Sequence, residues 1–161
     1  MRAGKAAVLP EASDILALRH MARAAIDLDA LGLTHLPLSA SHDEVMYRNL
    51  QSVCKNYSSL GARRFFVARA TEDGIKLELC RGAVSATNTV VCRLAAGIET
   101  MLQRVKMRAA GVRQREYVAR VAEWNVTLDR ARLEDFAAAS EDRSLTEVAH
   151  KVLLEAGWFS N

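Results

Sequence analysis

The chain has 161 residues, half of them apolar and a quarter charged, with a formal net charge of +3 at neutral pH. That length suits one ordinary domain or two small modules, and the balance is the profile of a soluble globular protein. The longest apolar runs fall far short of a membrane span, and no continuous apolar leader core opens the chain, so a cytoplasmic location and no membrane partner are expected.

Cysteine and histidine usage narrows the chemistry further. Cys54, Cys80 and Cys92 are an odd number without CxxC spacing, which implies reduced thiols and no zinc site. His20, His35, His42 and His150 show no ligand spacing either, so neither metal nor cofactor is expected. The positive charge is unevenly placed. Residues 101–120 carry six basic side chains against Glu116 alone, whereas residues 121–161 carry four basic against eight acidic.

In chain order, residues 1–10 read as a flexible tail. Glu11 to Leu31 reads as a helix with Ile15, Leu18, Ala22, Ala25 and Ile26 on its apolar stripe and Gly32 as its stop. Leu33 to Leu38 is a connector in which Pro37 holds extended backbone. Ser41, with Glu44 three residues on, caps a helix over 42–60 that Gly61 closes. Arg63–Ala70 and Ile75–Arg81 alternate apolar and polar residues about Asp73-Gly74, which predicts a β-hairpin over 63–81. Arg63, Arg64, Arg69 and Lys76 make that hairpin basic and offer a secondary phosphate-binding surface. Val91, Leu94, Ile98, Met101 and Val105 follow heptad spacing, predicting a long helix over 86–110.

Val121 to Leu128 alternates, with Trp124, Val126 and Leu128 on one face and Glu123, Asn125 and Thr127 on the other, which predicts a strand. A helical period follows through Leu133, Phe136 and Ala137. Ser144 and Glu147 then have capping-box spacing before the stripe Val148, Val152, Leu153 and Ala156, and Gly157 is a plausible stop. One strand and two helices cannot cover their own apolar faces, so this unit needs a second copy or another part of the chain.

The stretches N-V-T-L-D-R-A-R-L-E-D-F-A and R-S-L-T-E-V-A resemble the ribbon-helix-helix family of DNA-binding proteins, the Arc, MetJ and CopG type, over about a quarter of the chain. The resemblance implies an intermolecular two-stranded ribbon over 122–128 that enters the major groove of double-stranded DNA, in a homodimer or higher homo-oligomer. It assigns base contacts to Glu123, Asn125 and Thr127, whose side chains can read adenine, thymine or cytosine edges. It also places a phosphate at the start of the last helix, near Arg143, Ser144 and Thr146, where free N–H groups and the helix dipole favour an anion. This ribbon carries no Lys or Arg of its own, unlike many relatives. Phosphate contacts therefore shift to Arg113, Arg115, Arg120, Arg130 and Arg132 and to the wider basic arm 104–120.

No phosphate loop, dinucleotide fingerprint, nucleophile elbow or HExxH helix is present, and the adjacent acids Glu134/Asp135 and Glu141/Asp142 diverge on a helix, so no enzyme is expected. The expected fold is α+β and mainly helical. A module over 11–112 precedes a ribbon-helix-helix dimerisation and DNA-binding unit over 113–161. The expected function is DNA binding, as a transcriptional regulator or as a plasmid partition or conjugation accessory protein. The alternative is an adaptor or assembly protein that uses the heptad helix and C-terminal helices as partner surfaces, or DNA contact through the basic hairpin with the C-terminal unit serving only to dimerise.

Overall fold

Apolar residues at 8, 12, 15 and 16 recur at helical spacing and give the first helix its buried face. In the computed structural model, which describes residues 4–32, 41–108 and 112–159, this helix is α1, Lys5–Leu18. It starts inside the segment expected to be a loose tail, and it carries Pro10 within it; residues 1–3 of that tail lie outside the described part. The helix ends well before residue 31. His20 adopts a left-handed φ of 54°, and the Met21 N–H returns to the Leu16 carbonyl, a helix stop made without glycine.

The released chain forms β1, Arg23–Asp27, and a short helix α2, Leu28–Leu31, capped by the Asp27 carboxylate. The connector expected over 33–38 lies outside the described residues. Helix α3, His42–Ser59, matches the expectation from sequence: the Ser41 hydroxyl accepts the Glu44 N–H at 3.1 Å. Strand β2, Arg64–Ala68, follows and pairs parallel with β1, placing Arg23 opposite Arg64 and Asp27 opposite Ala68.

That pairing corrects the hairpin. Residues Gly74–Val84 are helix α4, and Asp73 is its N-cap, accepting the Lys76 N–H at 2.8 Å. Asp-Gly serves here as cap and first helical residue rather than as a turn. The alternating Ile75 and Leu79 consequently stand outside the core, 77% and 49% exposed.

The long helix over 86–110 is corrected in the same way. Residues Cys92–Ala95 are β3 and Ile98–Arg108 are α5, so the heptad spacing spans a strand and a helix. Gly97 sits at the junction because its N–H meets Glu141 Oε1 at 2.8 Å, where an added Cβ would lie only 2.8 Å from that oxygen. Helix α6, Val112–Ala131, contains the whole segment expected as the ribbon strand. Val121, Trp124 and Leu128 also fit a three–four spacing, and Ala119, Arg120, Ala122 and Glu123 are good helix formers around them. The helix expected after residue 129 is instead the end of α6 followed by β4, Phe136–Ala139, which pairs parallel with β3. The C-terminal order is thus helix, strand, helix rather than strand, helix, helix.

Helix α7, Leu145–Glu155, has the expected capping box and the expected stop, with Gly157 at a φ of 69° and the Trp158 N–H bonded to the Leu153 carbonyl. The fold is α+β and mainly helical, with seven helices and two two-stranded parallel sheets among the described residues. None of these helices is long and apolar enough to cross a membrane.

Two cores hold these pieces. Val8, Ala12, Ile15 and Leu16 of α1 pack against Val148, Ala149, Val152 and Leu153 of α7, and this core takes in Phe66, Leu94, Phe136 and Ala138 from both sheets. The second core joins α3 and α4 to the other face of β1–β2 through Ile26, Phe65 and Val67. Successive strand residues point to opposite faces, so Phe66 enters one core and its neighbours Phe65 and Val67 the other. Strands apolar on both sides are what parallel pairs require.

Leu153→Ala is expected to cost about 2–5 kcal/mol in chemical denaturation, because Leu153 is fully buried. Ile75→Ala is expected to stay within about 0.5 kcal/mol, as an exposed helical position should; a core-sized loss there would restore the hairpin.

Candidate nucleic-acid interface

The densest positive charge in the sequence falls on α5 and α6, which pack mainly on each other and form a helical hairpin. Among the described residues, Lys106, Arg115, Arg120 and Arg130 are exposed cations on it, and the Arg120 guanidinium lies 5.1 Å from the centre of the Trp124 ring. Arg113 is on α6, with its side chain outside the described part. Arg132 follows α6 in a left-handed conformation and is exposed.

Polar contacts fasten the base of this hairpin to β3 and to Ser140. Arg93 of β3, only 18% exposed, reaches Asp129 Oδ1 at 2.6 Å and Glu134 Oε1 at 3.6 Å, and donates to Asn125 Oδ1 at 3.1 Å. On the α5 side, Arg104 donates to both the hydroxyl and the carbonyl of buried Ser140 at 3.1 Å, and the Ser140 hydroxyl in turn donates a hydrogen bond to the Ala95 carbonyl. Glu141 closes the start of α5. The Thr100 hydroxyl and then the Gly97 N–H hold its carboxyl below the usual carboxylate range. Charge-assisted bonds of this kind are short and directional, so they fix the hairpin's angle as well as its attachment.

The expected base-reading trio does not survive as a face. Glu123, Asn125 and Thr127 lie on a helix, where residues four apart turn through roughly 400°, so that Glu123 and Thr127 share a side while Asn125 points away from both. The amide oxygen of Asn125 is taken by Arg93, and the Thr127 hydroxyl bonds the Glu123 carbonyl at 2.9 Å. The start of α7 is likewise filled from within. Glu147 accepts the Ser144 N–H and hydroxyl, each at 2.7 Å, and Thr146 donates to Glu11 at 2.6 Å. Arg143 remains exposed beside it. The Ser144 contacts draw the Glu147 carboxyl below its ordinary range.

The secondary basic group separates into surface and interior. Arg63 is exposed and Arg64 half-buried on β2. Arg69 turns inward, pairing with Asp43 at 2.9 Å and lying 5.4 Å from the Tyr47 ring centre, with its side chain 13% exposed. Its hydrogen bond holds Asp43 below the usual carboxylate range. Lys76 faces Asp43 and Asp73 at 3.7 and 3.9 Å, and its carbonyl accepts the Tyr47 hydroxyl. Lys76 therefore latches α4 to α3, and Arg69 ties the end of β2 to the same helix. Between those helices lies an open cavity of about 460 Å³ bordered by Asp43, Glu44, Arg48 and Leu79.

Thiol chemistry is not prepared anywhere in these surroundings: burial pushes Cys54 and Cys92 each up to about 11. Among the described residues no group of three histidine, cysteine or acidic side chains is placed to hold a metal ion. The fastening residues Arg93, Arg104 and Ser140 have no local signal in sequence, since their partners lie more than thirty positions away. Comparison with known proteins finds no matching family, no matching curated protein and no matching solved structure.

Arg69→Met is expected to lower stability by about 1–3 kcal/mol, the worth of a charged hydrogen bond removed from a mostly buried site, while leaving any DNA retention unchanged. A phosphate-binding Arg69 would give the reverse pattern. Glu147 has a lowered folded-state pKa, so its contribution to stability is present above the ordinary carboxylate range and is lost as pH falls through the folded value. The stability gap between the wild type and Glu147→Gln should therefore close on acidification; a gap independent of pH would remove the carboxylate from this role.

Proposed function

We propose that this chain is a DNA-binding protein whose contact surface is the α5–α6 hairpin. The observation that carries the reading is the concentration of the net +5 of residues 101–120 on two helices that pack mainly on each other, with Lys106, Arg115 and Arg120 exposed. Phosphate neutralisation supplies most of the affinity of such a surface and needs no particular base sequence. Base selection was tied to a β-ribbon, and residues 121–128 are helical, so the proposal is phosphate-directed, non-catalytic binding. The intermolecular ribbon was also the ground for a dimer, and this reading requires no second copy.

An assembly role is the second reading, favoured by Met107, Val126 and Ile98, which stand 81%, 47% and 45% exposed on the same two helices. A partner covering that apolar area would take the place of DNA.

Gel retardation of a mixed-sequence duplex at low salt separates the two. Retention that weakens steeply with added salt is expected, and Arg115→Glu combined with Arg130→Glu should reduce it roughly tenfold or more. Lys55→Glu, on exposed α3 surface, should not. No retention at low salt, or retention indifferent to the double reversal, overturns the proposal.

A further inference from the structure

Among the described residues, β2 and β3 each have a strand neighbour on one side only, β1 and β4 respectively. Alternate N–H and C=O groups of a parallel strand point to opposite sides, so each of these strands presents an unpaired row of backbone donors and acceptors. Natural edges are usually blunted by charge, proline or a bulge. The middle of β2 has none of these: Phe65, Phe66 and Val67 are apolar, enter both cores by turns, and are still only half-buried. A run that is apolar on both faces is the pattern of an interior strand rather than an edge.

Chain order shows where the two open rows lie. Phe66 of β2 and Leu94 of β3 enter the same α1–α7 core, whereas α4, which joins β2 to β3, packs on the opposite face with Phe65 and Val67. Right-handed crossovers on one face all proceed in the same direction. The step from β1 through α3 to β2 and the step from β2 through α4 to β3 therefore place β3 beyond β2, on the side away from β1, yet β2 and β3 do not pair. Helix α1 covers the other face and runs antiparallel to β1. Lys5 at its start is 3.7 Å from Asp29, just past the end of β1, and Ser13 accepts a hydrogen bond from Arg23 at the beginning of β1. A right-handed crossover through α1 proceeds in the opposite direction to one through α3. A strand leading into α1 would accordingly run parallel to β1 and lie beyond β2, between β2 and β3.

We propose that the open edges of β2 and β3 form one slot for an added strand, an uncharged apolar segment that leads into α1 and joins the two pairs into a single parallel sheet. Strand addition draws affinity from main-chain hydrogen bonds and selectivity from the pockets on either face. Those faces are lined by Phe66 and Leu94 on one side and by Phe65 and Val67 on the other, so Val, Ile or Leu fits and a charged residue does not. Filling the slot neither requires nor excludes DNA binding.

The test fuses a strand of alternating Val and Ile, five residues long to match β2, ahead of Met1 of the full chain through a Gly-Ser pair. Amide hydrogen exchange is then read element by element. Amides of both β2 and β3 are expected to exchange roughly tenfold more slowly or better, while α7 amides, already in the first core, report that the fold is intact. Proline at the middle positions of the fused strand removes its donors and should abolish the slowing. Slowing confined to β2, slowing that survives the prolines, or no slowing in either strand overturns the slot. So does slowing seen only in sedimenting aggregates, which would make the edge merely adhesive. Protection by the same residues as a free peptide, with none from the fusion, would put the occupant in a separate polypeptide and overturn the lead into α1.

Discussion

Short parallel strands that pair only two by two have no sheet wide enough to sustain them, and the rest of this molecule depends on how that deficit is met. Both sheets lean on one helical layer, because α1 and α7 pack side by side and together receive Phe66 from the first sheet and Leu94, Phe136 and Ala138 from the second. The ends of the chain are thereby joined in one core. The tie is reinforced at the surface, where Thr146 of α7 bonds Glu11 of α1 and Arg19 lies 3.7 Å from the Phe159 ring centre. On the opposite face of β1–β2, the α3–α4 layer and its Arg69–Asp43 latch complete the covering that parallel strands need.

The α5–α6 hairpin obeys a different rule. It lies between β3 and β4 in sequence and stands largely outside both cores, so it is attached through arginines that leave the sheet or return to it. A polar root suits a charged element. Arg93 and Arg104 neutralise or satisfy Asp129, Glu134 and Ser140 at the base, while Arg115 and Arg130 are exposed farther along α6 or at its end. With Asp129 58% exposed, such a pair adds little stability, and what it supplies is direction, which a binding arm requires of its attachment.

The legible parts of the sequence were those governed by neighbours a few residues apart. Ser41 and Ser144 each cap the helix that follows, and Gly157 ends α7 in the left-handed conformation its lack of a side chain permits. The mixed, mainly helical character was also readable, as was the crowding of cations over 101–120. Alternation was the unreliable signal. Val121–Leu128 and Ile75–Arg81 alternate yet are helical, whereas Phe136–Ala139 fits a helical face yet is a strand. A stretch of four to eight residues satisfies both periods, and only burial on one side or two decides between them.

Local chemistry in the sequence by itself determined the Ser41 and Ser144 caps, the Gly157 stop and the place where charge accumulates, because each depends on residues within one helical turn. Tertiary structure alone decided which segments became strands, since Arg23 finds Arg64 and Cys92 finds Phe136 across forty positions of intervening chain. It also decided the state of the candidate site. Asn125 became a fastening once α6 was helical and Arg93 reached across to it. Pairing over such distances depends on which faces remain to be covered when the helices have packed, and that is a property of the assembled core rather than of any window of sequence.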